Sequence, residues 1–108
     1  MLDLIIKNGK CYINGELKDV DVAIKDGKIQ QIGQISDEAK EIVNAEGQTV
    51  LPGCIDTQTH FREPGSTDTE DLHSGSRAAI VGGITSVFEM PNTNPPTSDM
   101  VEFQKKLD

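Results

Sequence analysis

Through the first half of the chain, apolar residues come in short runs separated by glycine-containing pairs, a rhythm that predicts strands and tight turns. Leu4-Ile5-Ile6, Lys10 to Ile13, Asp21 to Lys25 and Lys28 to Gly33 read as strands, with Asn14-Gly15 and Asp26-Gly27 as hairpin turns. After a polar stretch from Ser36 to Glu41, Ile42 to Ala45 and Thr49 to Leu51 flank another turn at Glu46-Gly47. About five or six short strands before Pro52-Gly53 predict a small antiparallel sheet over residues 1–51.

From Cys54 the pattern becomes strand, helix, strand, helix. Cys54 to His60 and Ile84 to Met90 read as strands, and a helix is expected from about Thr69 or Asp71 to Val81, stopped by Gly82-Gly83. Pro95-Pro96-Thr97-Ser98-Asp99 opens a second helix, whose apolar side is Met100, Val101, Phe103 and Leu107. Two parallel strands and two helices leave a sheet partly uncovered. No glycine stop follows the second helix before Asp108, so residues 52–108 read as the opening of a larger α/β array and the chain as a fragment. A compact two-layer domain is the structural alternative. Exposed parallel strand edges would favour self-association.

Composition narrows the function classes. At 108 residues, 18 are acidic and 10 are Lys or Arg, a net charge of −8 with no basic patch. Nucleic acid and anionic membrane are therefore excluded as partners held by bulk electrostatics. Lys105-Lys106 reads as the solvated last turn of a helix. No apolar run approaches the roughly twenty residues of a membrane span, and a soluble, cytoplasmic protein is expected. Cys11 and Cys54 lie outside any CxxC spacing and read as reduced, buried thiols.

The candidate chemistry sits in Asp56-Thr57-Gln58-Thr59-His60-Phe61-Arg62. In an extended segment Asp56, Gln58, His60 and Arg62 would share one face. A metal-dependent hydrolase wants histidine at both the third and the fifth place of that run, yet Gln58 is a neutral amide and a poor zinc ligand. His60 falls where a strand gives way to a loop, the rim on which a parallel barrel assembles its active site, though a lone histidine can equally be satisfied by a hydrogen bond. Arg62 can hold a carboxylate through a bidentate fork. Glu70-Asp71 reads as a helix start, His73 as an exposed helix histidine, and Asn92 to Pro96, by composition, as an ordinary turn.

Taken together, Val50 to Asp56, His60 to Gly65, Ser74 to Ala79, Gly82 to Thr85 and Met90 to Pro95 resemble the N-terminal part of dihydroorotases, within the cyclic amidohydrolase superfamily. The resemblance covers essentially the whole chain. It implies an α/β fold: N-terminal strands of a small β-sandwich domain (1–51), then the first two β/α units of an incomplete TIM-type barrel (52–108). It implies interconversion of N-carbamoyl-L-aspartate and L-dihydroorotate in pyrimidine synthesis, with zinc activating water. Carried over, His60 matches the second zinc ligand, Gln58 stands where the first is missing, Arg62 matches the carboxylate-binding arginine, and Asn92 matches a substrate-binding asparagine. The other ligands and the catalytic aspartate belong to later barrel strands. The 108 residues alone are therefore expected to be inactive and metal-free, and the full-length protein to hold one or two zinc ions. A homodimer or an association with aspartate transcarbamoylase is implied as the assembly. Arg62 favours dihydroorotate, which carries a carboxylate, over the substrates of allantoinases and hydantoinases, which are the alternatives along with a catalytically silent, assembly-type subunit.

Overall fold

Both Asn-Gly and Asp-Gly pairs make the turns that their chemistry dictates. Asn14 and Gly15 have φ of 50° and 86°, and Asp26 and Gly27 have φ of 51° and 71°. Left-handed backbone at both central positions gives the twist that joins two antiparallel strands through two residues. The computed structural model describes residues 1–108. Before Pro52 it contains β1 (Leu2–Lys7), β2 (Lys10–Ile13), β3 (Glu16–Asp19), β4 (Asp21–Lys25), β5 (Lys28–Gly33), β6 (Ala39–Asn44) and β7 (Thr49–Val50). β3 is absent from the sequence reading because all of its residues are exposed and no apolar alternation marks it. Its existence follows from the turn, since Asn14-Gly15 requires a partner for β2.

The expected single antiparallel sheet is corrected to two mixed sheets, ordered β5-β4-β1-β6 and β3-β2-β7. β1 runs antiparallel to β4 but parallel to β6, and β2 runs antiparallel to β3 but parallel to β7. A hairpin turn fixes only the two strands that it joins. β6 and β7 reach their partners through longer connections, which permit a parallel ladder and leave no turn signal.

The core lies on the larger sheet. Ile5 and Ala23 are opposite one another in the β1–β4 register, both fully buried, and pack with Leu2 and Ile35. Burying an isoleucine side chain contributes about 1.5–3 kcal/mol. The buried Asp21 carboxylate accepts from the backbone N–H of Asn8 (3.1 Å) and of Ile35 (3.3 Å), so its burial is matched by hydrogen bonds. Cys11 is buried as expected, donates to the Val20 carbonyl at 3.2 Å, and has its thiol pKa pushed up by burial and then by Asp21.

Met1–Pro52 forms one compact unit and Gly53–Asp108 a second. The second unit contains β8 (Cys54–Thr59), α1 (Leu72–Val81), β9 (Ile84–Glu89) and α2 (Met100–Leu107), with β8 and β9 paired in parallel. α1 begins where Asp71 caps it: the carboxylate accepts from Ser74 N (2.7 Å) while Ser74 Oγ accepts from Asp71 N (3.1 Å). Asp99 caps α2 by accepting from Glu102 N at 2.9 Å.

Two expectations fail in this unit. Cys54 is exposed rather than buried, because it opens a strand of a two-stranded sheet in which the neighbouring Ile55 is also exposed. Lys106 is not solvated: its side chain is 6% exposed and its ammonium pairs with Glu89 Oε2 at 2.9 Å. The apolar stem lies down against the unit and carries its charge to a carboxylate at the end of β9. Lys105 does remain in solvent, paired with Glu102 at 2.8 Å.

Candidate functional site

Parallel pairing brings the C-terminal ends of β8 and β9 side by side. Thr59 is in register with Glu89, and the Thr59 carbonyl accepts from Met90 N at 2.8 Å. The two chain segments that leave these ends therefore start together, and His60 Nδ1 lies 2.8 Å from Asn92 Oδ1. Two residues singled out by the resemblance, 32 positions apart, thus make one side-chain contact. His60 Nε2 has no hydrogen-bond partner within the chain.

The shared face expected for Asp56, Gln58, His60 and Arg62 is corrected. The β8–β9 register slips between Asp56 and Thr59, Gln58 N–H donates to Asp56 Oδ1 at 2.9 Å, and the strand ends at Thr59. A side-chain oxygen binding the backbone two residues on is a local turn device, and it interrupts strict alternation. Arg62 lies in the loop beyond, exposed and free of any ion pair. Gln58 is exposed as well.

A second lacing holds the two loops. Pro64 O accepts from Asn94 N at 3.1 Å, with Gly65 directly beside it. Gly65 has φ of 105°, and a Cβ there would lie 2.6 Å from Asn94 O, so only glycine fits this approach. The Glu63-Pro64 and Asn94-Pro95 peptides flanking the contact are both cis. Glu63 Oε2 accepts from Leu72 N at 2.7 Å, tying the loop to the first turn of α1, and Arg62 O accepts from Ser66 N at 2.8 Å. On the other side, Thr93 Oγ1 donates to Pro95 O at 2.9 Å and lies 2.9 Å from Thr97 Oγ1. Asn92 to Pro96 is thus a cross-braced loop rather than an ordinary turn.

Of the minor candidates, Asp71 is the helix cap, with its carboxyl held below the usual range by the Ser74 N–H, and His73 is exposed on α1. Glu89 was passed over by sequence reading. Its Oε1 and Thr59 Oγ1 are buried without hydrogen-bond partners at the same strand ends. The signal available was a single carboxylate closing the otherwise uncharged run Ile84 to Phe88.

As a metal site the residues present fit one ligand position. An imidazole with one ring nitrogen engaged and the other free is the usual condition of a metal-binding histidine. No group of three or more His, Cys, Asp or Glu side chains in the chain could hold an ion, so the donor set is incomplete within these residues. No helix is long and apolar enough to cross a membrane.

Known proteins are similar to this chain. Allantoinase of Escherichia coli is 47% identical over 107 residues, covering 98% of this chain and 24% of its own length. Among solved structures, L-hydantoinase (dihydropyrimidinase) from Arthrobacter aurescens superposes with a TM-score of 0.87 at 33% identity, over 98% of this chain and 24% of its own. N-acyl-D-glutamate deacylase from Bordetella bronchiseptica, complexed with zinc and a phosphonate inhibitor, gives 0.64 at 28% identity over 80% of this chain and 18% of its own. The chain spans about a quarter of the length of the curated relatives that it matches. These names favour allantoinase and hydantoinase over the dihydroorotase expected from Arg62. The strands and β/α units are those of one part of the amidohydrolase fold. The sequence pattern of the amidohydrolase family matches residues 49–107, and the chain belongs to that family.

Proposed function

We propose that these residues belong to an enzyme that hydrolyses a cyclic amide of the allantoin or hydantoin type. The observation that carries this reading is the 47% identity with an allantoinase across 98% of the chain. Ring opening adds water across a C(=O)–N bond: a C–O bond forms, the C–N bond breaks, the nitrogen takes a proton, and a carboxylate remains. The chemistry expected of zinc in such a site is activation of water near neutral pH and polarisation of the ring carbonyl.

This chain's own residues supply binding and orientation. His60 offers one donor nitrogen, and the laced loops hold it beside Asn92. Arg62, exposed and unpaired, is available for a carboxylate. An allantoin-type ring carries no carboxylate, but its opening creates one, so a guanidinium at this place suits the product as well as an acidic substrate. That removes the conflict between Arg62 and an allantoinase-like activity. Dihydroorotate hydrolysis is the second reading, favoured by the Phe61-Arg62 and Met90-Pro91-Asn92-Thr93 motifs. Zinc binding through His60, substrate contact through Asn92, a cytoplasmic location and homodimer formation are parts of both readings.

The test is the longer protein containing residues 1–108, metal-loaded and assayed on allantoin, hydantoin and dihydroorotate. Opening of either of the first two is expected. Turnover of dihydroorotate alone would transfer the assignment to the second reading, and turnover of none would leave the silent-subunit alternative. Arg62→Gln is expected to weaken binding of the ring-opened product about tenfold, the loss of one charge-assisted hydrogen bond.

A further inference from the structure

We propose that Asn92 is a positioning residue: its Oδ1 holds His60 as the Nδ1–H tautomer and turns the Nε2 lone pair outward. The inference rests on the reading of His60 as a metal ligand for its purpose, but its geometry stands apart from that reading. An amide oxygen has no hydrogen to give, so at 2.8 Å from a ring nitrogen it accepts, and the proton is on Nδ1. A neutral imidazole with its proton on Nδ1 has only Nε2 left as a donor to a cation. Free histidine prefers the opposite tautomer, with the proton on Nε2. Without Asn92 the ring would therefore spend most of its time with the wrong nitrogen protonated.

The contact is built rather than incidental. His60 and Asn92 each follow the end of a parallel strand, the Met90 N–H to Thr59 O bond sets the two exits in register, and the Asn94 N–H to Pro64 O bond closes the loops beyond them. Thr93, braced by Pro95 and Thr97, fixes the backbone directly after Asn92. The same amide keeps two Nδ2 hydrogens free, so Asn92 can orient the histidine and still donate to a substrate oxygen. This gives the asparagine one job at each end of its side chain. It also bears on Gln58: where one ligand place of the run holds an amide, correct presentation of the remaining histidine matters more.

The chain has two histidines, so the experiment carries its own control. His73 is exposed on α1 and its ring makes no hydrogen bond. Long-range proton–nitrogen correlation spectra, recorded on the metal-free 108-residue chain above the histidine titration range, report which nitrogen of each ring carries the proton. His60 is expected to show a protonated Nδ1 and a bare Nε2, and His73 the reverse. Asn92→Ala should lower the Nδ1–H to Nε2–H ratio of His60 about fivefold, the effect of one ordinary hydrogen bond. Asn92→Asp, which can still accept, should keep the wild-type pattern, and His73 should not change in either. A wild-type His60 with its proton on Nε2 would mean that the amide is turned the other way and would overturn the proposal. So would an unchanged His60 in Asn92→Ala, provided that the amide spectrum shows the same fold. Inactivity of the longer protein on every ring substrate would defeat the functional reading without altering these spectra.

Discussion

Residues 1–52 hold every buried hydrophobic side chain of the molecule, while residues 53–108 hold the candidate chemistry, bury no hydrophobic side chain and cover only Gly75 as a whole residue. The first unit closes on itself because hairpins pair neighbouring strands and cover Ile5 and Ala23. The second is organised by polar contacts at strand ends and loops. Ile55, Ile80 and Phe88 are exposed there, at 60%, 69% and 60%. Parallel strands joined by helices bury their apolar residues only when further strands and helices surround them. The comparison teaches that a site can have its local geometry set by backbone register and loop lacing, with little apolar burial beneath it.

The strongest way to break this contrast is a matched pair of truncations. Ile5→Ala, at a fully buried position, should cost about 2–5 kcal/mol, enough to unfold much of the first unit at moderate urea. Ile55→Ala, removing a similar volume from an exposed position, should change stability by less than about 0.5 kcal/mol. The single tyrosine, Tyr12, lies in β2, so its fluorescence follows the first unit during denaturation, while the helical circular dichroism of α1 and α2 follows the second. Equal midpoints for the two variants would mean that Ile55 is covered in solution, and the difference between the units would disappear.

A smaller effect sharpens the picture of the second unit. Lys106→Met keeps the stem but removes the ammonium, leaving Glu89 with neither carboxylate oxygen partnered, since Oε1 already lacks one. The expected loss is about 1–3 kcal/mol, read as a fall in the helical circular dichroism transition. Glu89→Gln combined with Lys106→Met should recover part of it, because the unpaired charge is then gone. Full additivity of the two substitutions would show that the ion pair is not what holds α2 to the end of β9.

Legibility followed the range of the interaction. Asn14-Gly15, Asp26-Gly27, Asp71 and Asp99 act on residues within a few positions, and their turns and caps could be read directly. The parallel partners β6 and β7 and the exposed strand β3 could not, because neither long-range pairing nor a solvated edge leaves an apolar rhythm. Lys106 was misread for the same reason: its partner Glu89 is 17 residues away, outside the helix that makes the lysine look solvated. At the site, His60, Arg62 and Asn92 were legible as residue types, whereas the His60–Asn92 contact requires the parallel register of β8 and β9. Ring specificity was the least legible, since one arginine suits both a substrate carboxylate and one formed by ring opening.

The smallest effect concerns how far the second unit depends on a single exposed cap. Asp71 has its carboxyl held below the ordinary range, first by the backbone N–H of Ser74 and then by the Ser74 hydroxyl. A carboxylate whose pKa is lower folded than unfolded stabilises the folded form above the unfolded value of about 3.9, and that contribution fades as pH falls through the folded value. α1 should therefore keep a constant helical signal from neutral pH down to the ordinary carboxylate range and lose part of it only below. Asp71→Asn retains a capping oxygen without the charge, so its helix should be insensitive to pH across that window. Backbone amide shifts of Leu72 to Gly75, followed during acid titration, make the comparison locally. The same midpoint in Asp71→Asn and wild type would assign the acid transition to other carboxylates and show that the cap holds α1 through geometry alone.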